Sequence, residues 1–280
     1  MKKCFGSFVV LCLFAIGGFA NSNAANAQDN SSGVTQPPKV LVIQREFLKL
    51  GMSGSVHEKS ESAFVQAMQQ ANSQTYYIAA NSLSGRSRTD FFIGYDSFAD
   101  WQKDLDLPSS NTAVAQQFDS ATQADGKLLS AYDSGVFVFD PDKSVSPAVN
   151  IGKMRYFEIT ILQVRLGHDQ DFDELAKLHD SIYGKIPGAH WAMFNKLYGT
   201  DSGTEMIAIT ALHSLAELDA MHEAARQAYA QLSPQQKKQQ DDLAAAALES
   251  VEANLFAIDP KMSYPADKWK AADPEFWGQK

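Results

Sequence analysis

The strongest constraint on this chain is an element written twice. Residues 76–85 read YYIAANSLSG, and 114 positions later residues 190–199 read HWAMFNKLYG, with Asn81/Asn195, Leu83/Leu197 and Gly85/Gly199 in matching places. The same offset relates KVLVIQREFLKL (39–50) to KMRYFEITILQV (153–164). Both are β-branched and aromatic with partial alternation, as expected of strands. Between these strands each half carries a helical stretch. EKSESAFVQAMQQA (58–71) puts Phe64, Ala67, Met68 and Ala71 on one face, and DFDELAKLHDSIY (171–183) does so with Phe172, Leu175, Ala176, His179, Ile182 and Tyr183.

Third strands follow at TDFFIGY (89–95) and EMIAITAL (205–212). Helix starts come next, at Ser97–Asp100 and Ser214–Glu217, each a serine three residues ahead of an acid; the second fits a capping box. Another box, with proline at the first helical position, opens at Ser233-Pro234-Gln235-Gln236. Final strands, GVFVFDP (135–141) and NLFAIDP (254–260), both close on Asp-Pro, a turn signal.

Each half therefore reads β-α-β-β-α-β, the ferredoxin-like unit, and the fold class is α+β. Unit 1 spans 39–141, a linker 142–152, unit 2 153–260, and an aromatic C-terminal strap 261–280. One such unit covers a single face of its sheet, and the bare apolar face needs a partner. Two units in one chain supply it by packing sheet to sheet, so a monomer is the simplest expectation. The element order resembles the dimeric α+β barrel superfamily, which includes antibiotic-biosynthesis-type monooxygenases and NIPSNAP-like proteins. The resemblance covers about residues 39–260 and implies an intrachain pseudo-dimeric barrel, with a ligand cavity between sheet and helices.

The N-terminus sets the compartment. Lys2 and Lys3 precede an apolar run from Phe5 to about Phe19, and Ala25-Asn26-Ala27 fits a cleavage site. This predicts a signal peptide over 1–27, a polar leader over 28–38, and a secreted or periplasmic protein. Both cysteines, Cys4 and Cys12, would leave with it. Removal takes away two lysines and no acid, so the formal charge of −9 becomes −11. Such an acidic chain has no footprint for nucleic acid or an anionic membrane.

Several residues could carry chemistry. On the first strands, Leu41, Ile43, Phe47, Phe157, Ile159 and Ile161 form an apolar face, expected under the helices and interrupted by Arg45. Val42, Gln44, Glu46, Tyr156, Glu158 and Thr160 form the opposite face, expected to point at the other sheet. Glu158 there is an acid, a base or a ligand anchor, unless it makes only a structural hydrogen bond. His179, central in its helix's apolar stripe, should face the sheet. In the resembled family a histidine so placed could be a base or a haem ligand; otherwise it is a core histidine. His190 and Trp191 point to opposite faces of their strand. Asn81 and Asn195 could bind a substrate oxygen or merely fix their turns. No H-E-x-x-H, P-loop, G-x-G-x-x-G or G-x-S-x-G occurs, so no metal or cofactor is assigned. The leading expectation is a protein that binds a small, partly apolar molecule. The alternatives are a cofactor-independent monooxygenase-like enzyme, with His179 or Glu158 as base and Trp191 and Asn195 shaping the pocket, and a structural module without a cavity.

Overall fold

The computed structural model describes residues 33–200 and 203–279; the expected signal peptide and residues 28–32 of the leader lie outside the described residues. Eight strands form in order: β1 (Val40–Leu48), β2 (Tyr77–Ser82), β3 (Arg88–Tyr95), β4 (Leu129–Val145), β5 (Tyr156–Val164), β6 (Trp191–Gly199), β7 (Thr204–Leu212) and β8 (Leu248–Tyr264). Among them run α1 (Ser55–Gln70), α2 (Phe98–Ser110), α3 (Thr112–Asp125), α4 (Asp169–Tyr183), α5 (Ala216–Gln231) and α6 (Pro234–Ala247), and two short C-terminal helices, α7 (Asp267–Ala272) and α8 (Pro274–Trp277). The capping box at Ser233/Gln236 forms in full. At Ser214 only the glutamate half forms, with the Ser214 amide donating to Glu217 Oε1 at 3.0 Å. No helix among the described residues is long and apolar enough to cross a membrane.

The strand order β1-β3-β2-β8-β5-β7-β6-β4 closes on itself as one antiparallel barrel. The first four strands are contiguous in it, as β4-β1-β3-β2, and so are the last four, as β8-β5-β7-β6. Their edges are hydrogen-bonded at two seams, β2 with β8 and β4 with β6. Closure therefore comes from edge pairing around one sheet, where the sequence suggests two sheets stacked face to face. A closed sheet leaves no edge for another chain to extend.

The seams correct the reading of Asp-Pro as a strand terminus. β4 and β8 are each 17 residues long and run through Asp140-Pro141 and Asp259-Pro260. The ladder is irregular at both places, between Asp140 and Val145 on β4 and opposite Tyr77–Ala79 on β8. Proline has no amide to give a ladder, so it sits where pairing is interrupted. The aspartate then serves the interruption: Asp140 Oδ1 accepts from the Asp142 amide at 3.1 Å, and Asp259 Oδ1 from the Lys261 amide at 2.9 Å.

The repeated asparagines clasp these seams. Asn195 Nδ2 donates to Asp140 Oδ2 at 3.0 Å, and Asn81 Nδ2 donates to Asp259 Oδ2 at 2.9 Å. Around each clasp a serine adds the same pair of bonds. Ser144 Oγ donates to the Asp140 carbonyl and accepts from the Met193 amide; Ser263 Oγ does so with the Asp259 carbonyl and the Ala79 amide. The glycines of the quoted motif, Gly85 and Gly199, have φ of +73° and +147°, a region other residues avoid. Asn195→Ala strips Asp140 of a donor without touching the ladder, and a loss of about 1–2 kcal/mol in urea unfolding is expected.

Inside the barrel, Leu41, Ile43, Ile78, Ala80, Phe92, Phe137, Phe157, Ile159, Phe194, Ile207, Phe256 and Ile258 form one cluster drawn from all eight strands. This reverses the expected faces. Leu41, Ile43, Phe157 and Ile159 line the lumen, whereas Tyr156, Leu162, Val164, Trp191 and Met193 pack with α4 residues Phe172 and Leu175 outside it. The reason is geometric: a lumen is enclosed by sheet on every side, so it takes the most apolar face, while amphipathic helices tolerate a mixed one. Arg45 has the strand parity of Leu41 and Ile43, so it stays on the lumen side, where it pairs with Asp133. Arg88–Asp90 at 3.0 Å and the buried pair Lys196–Glu205 at 3.2 Å add further charge pairs on the strands.

Candidate functional site

One mouth of the barrel holds a cavity of about 600 Å³. Its walls are lumen residues, including Leu41, Phe92, Phe157, Phe194 and Ile209. Segments outside the strands border it as well, among them 35–38, residues of 147–151, and 266–269. The first two are tied together by a bridge between Thr35 and Val149. The C-terminal segment is held by the Trp277 indole, whose Nε1 donates to the Gly152 carbonyl at 2.8 Å, and by Arg155, which pairs with Asp273 and lies 3.8 Å over the Phe276 ring. Chemically the cavity is an apolar cup with a few polar atoms at its rim. Trp269 borders it, and its indole Nε1 is buried with no hydrogen-bond partner. A buried N–H left unpaired costs about 1–3 kcal/mol.

The sequence-predicted residues are divided between faces. His190 borders the cavity, with its ring nitrogens 2.9 Å from the Gly188 carbonyl and 2.8 Å from the Ala211 carbonyl. Trp191 borders it as well, but its indole belongs to the outer, helix-covered cluster and donates to the Lys143 carbonyl at 2.9 Å. His179 does face the sheet: its ring stands 5.6 Å from that of Trp191 and 4.5 Å from that of Tyr183. Tyr156 packs in the same outer layer. Glu158 lies on this face too, not in a pocket between two sheets. Its Oε2 is buried without a partner, and burial alone pushes its carboxyl up to about 7. Asn81 and Asn195 are committed to the seams. The structure thus brings His179, Trp191 and Tyr183 together, and separates them by the thickness of the sheet from the lumen.

A second constellation escaped the sequence reading. On the outer face of the first half, Glu46 of β1, His57 and Glu61 of α1 and Asp125 of α3 each bring a donor atom to one place, all within 4.8 Å of one another. His57 Nε2 lies 3.0 Å from Glu46 Oε2, 3.6 Å from Asp125 Oδ1 and 3.8 Å from Glu61 Oε1. His57, Glu61 and Asp125 are 1%, 3% and 2% exposed. Desolvation, reinforced by the charges of Glu46 and Asp125, pushes the Glu61 carboxyl up to about 10, and desolvation also raises Glu46. A cavity of about 320 Å³ adjoins, lined by Glu46, Glu61, Phe64, Met68, Tyr77 and Phe118 among others. The signal was present: His57, Glu61, Phe64 and Met68 continue one helical stripe at spacings of four, three and four. The apolar pattern alone starts the helix at 58, one residue after the histidine, and no spacing reveals Glu46 and Asp125 as its neighbours.

Neither a protein-family model nor a curated protein matches this chain. Solved structures do. A protein from Fusobacterium nucleatum subsp. nucleatum described as a candidate monooxygenase superposes with a TM-score of 0.51 at 7% identity, covering 80% of this chain and 94% of that one. An anthrone oxidase-like protein gives 0.48 at 13% identity, with coverages of 79% and 91%. A mutant chlorite dismutase from Candidatus Nitrospira defluvii gives 0.49 at 10% identity, with coverages of 86% and 99%. At this identity the likeness is one of fold: the chain shares its α+β barrel architecture with the Fusobacterium nucleatum protein.

Proposed function

We propose that this chain is an exported tandem of two ferredoxin-like units whose barrel mouth binds a small, largely apolar molecule bearing a hydrogen-bond acceptor. The tandem reading rests on the matching strand orders of the two halves and on the equivalent Asn–Asp–Ser clasps at both seams. Export rests on the N-terminal sequence alone. The binding reading is carried by one observation: an apolar cavity of about 600 Å³, within the range of small-molecule sites, bordered by Trp269, whose indole N–H has no partner among the described residues. A cofactor-independent monooxygenase-like reaction is the second reading, favoured by the buried, unpartnered Glu158 with its carboxyl near neutral pKa. That chemistry would use the layer beneath the second-half helices, not the mouth.

The uncharged ketone fluorophore prodan is a suitable probe, being flat, apolar and equipped with one acceptor. Saturable one-site binding with a blue-shifted emission is the expected result. Ala192 borders the cavity, and Ala192→Phe fills it; at least a tenfold loss of affinity is expected, with far-ultraviolet circular dichroism unchanged. No saturable shift, or a shift indifferent to Ala192→Phe, overturns the reading.

A further inference from the structure

We propose that Glu46, His57, Glu61 and Asp125 form a binding site for a single divalent transition-metal cation, independent of the barrel-mouth cavity. The case starts from atoms without partners. Glu61 Oε1 and Asp125 Oδ1 are buried and accept no hydrogen bond, although both point at the edge of one imidazole. Three carboxyl groups converge here with no lysine or arginine paired to Glu46, Glu61 or Asp125 among the described ion pairs. Burying such a set as anions without a counter-charge is strongly unfavourable, and protons or a bound cation resolve it.

The hydrogen bonds behind the histidine point the same way. Asn81 gives its amide hydrogens toward Asp259, leaving its Oδ1 to accept from Thr89 Oγ1 at 2.6 Å. The Thr89 hydroxyl proton is thereby committed, so at 3.3 Å from His57 Nδ1 its oxygen serves as acceptor. Nδ1 therefore donates to Thr89, and Nε2 faces the three carboxyl groups. Nε2 stands 3.0 Å from Glu46 Oε2, so a proton or a cation lies between them. This is the arrangement by which an outer hydrogen bond orients a metal-bound histidine.

The distances suit the ion. Four donors around a tetrahedral metal at about 2.1 Å stand about 3.4 Å apart. The three separations from His57 Nε2, 3.0, 3.6 and 3.8 Å, bracket that value. One imidazole among three carboxylates favours zinc, manganese, iron or cobalt over magnesium and calcium, which prefer oxygen alone. The fold does not demand these residues. At the matching offset of 114 the second half carries Thr160, Asp171 and Leu175 in place of Glu46, His57 and Glu61. There Leu175 simply packs in the apolar cluster.

The test uses the full exported chain, stripped with chelator and returned to zinc, manganese or cobalt in separate titrations. About one equivalent of at least one ion should bind, counted by elemental mass spectrometry, with a rise in melting temperature. Cobalt should add a visible d–d spectrum reporting nitrogen and oxygen ligands. Glu61→Leu takes the residue found in the other half, so it should fold and lose the bound ion. Thr89→Val should weaken binding by about 10–100-fold while leaving all four ligands in place. Glu158→Gln, in the other half, should bind as the parent does. No saturable uptake of any of the three ions, or uptake unchanged in Glu61→Leu and Thr89→Val, overturns the proposal. Prodan binding at the mouth should survive Glu61→Leu, which separates failure here from failure there.

Discussion

Phe256→Ala should lower stability by about 3–5 kcal/mol in denaturant unfolding. Phe256 is fully buried, at 0% exposure, within the lumen cluster. It stands opposite Phe157 on β5 and opposite Ser82 across the β2–β8 seam. The Arg88 guanidinium lies 4.9 Å over its ring. Truncation therefore removes apolar contact from the lumen and a cation–π partner from an arginine that is itself buried. A closed barrel cannot collapse inward around the void, because its radius is set by strand number and stagger. Against a typical total of about 5–15 kcal/mol, this loss brings the chain near its unfolding limit. Phe256→Leu should recover most of it. Leu166→Ala, at a position 90% exposed, should change stability by less than about 0.5 kcal/mol.

Glu158→Gln should stabilise the protein, and only at neutral and alkaline pH. The carboxyl is raised from its ordinary 4.5 to about 7 because burial disfavours its charged form. A carboxyl raised in this way contributes most below about pH 4.5, where both folded and unfolded forms are protonated. That contribution is lost as pH rises from about 4.5 through 7, when the unfolded chain releases the proton more readily. Glutamine mimics the protonated acid at every pH. The variant and the parent should therefore unfold alike at pH 4, and the variant should be more stable by about 3 kcal/mol at pH 8 and above. Asp90, raised to about 6 mainly by burial, adds a drift of the same sign, but equally to both proteins. A constant difference across pH would mean that Glu158 does not titrate between folded and unfolded states as described.

Element order and the apolar stripes of the helices were legible in the sequence because each is a local pattern of period two or 3.6. The 114-residue offset also pairs Asn81 with Asn195, and each donates to an aspartate across a seam. Their partners, Asp259 and Asp140, lie in opposite halves of the chain, so no local pattern could show that the motif clasps a seam. The inversion of faces has a related origin. Alternation on β1 and β5 tells which residues share a side, but which side is the lumen depends on closure, a property of all eight strands together. The site residues fared similarly. His179 faced the sheet as its stripe required, and His190 reached the cavity. Trp269 is a cavity residue only because the C-terminal segment folds back over a mouth built by distant strands. Glu46, His57, Glu61 and Asp125 come from three elements separated by up to 79 positions, and only the fold makes them neighbours.

A crystal structure of the chain soaked with prodan is the most direct measurement of where a small apolar molecule goes. The expected density lies in the barrel mouth among Phe92, Phe194 and Trp269, with the ketone oxygen within hydrogen-bond distance of the Trp269 indole nitrogen. An empty mouth, with the probe lodged instead between Met68 and Phe118 or on the outer surface, contradicts it.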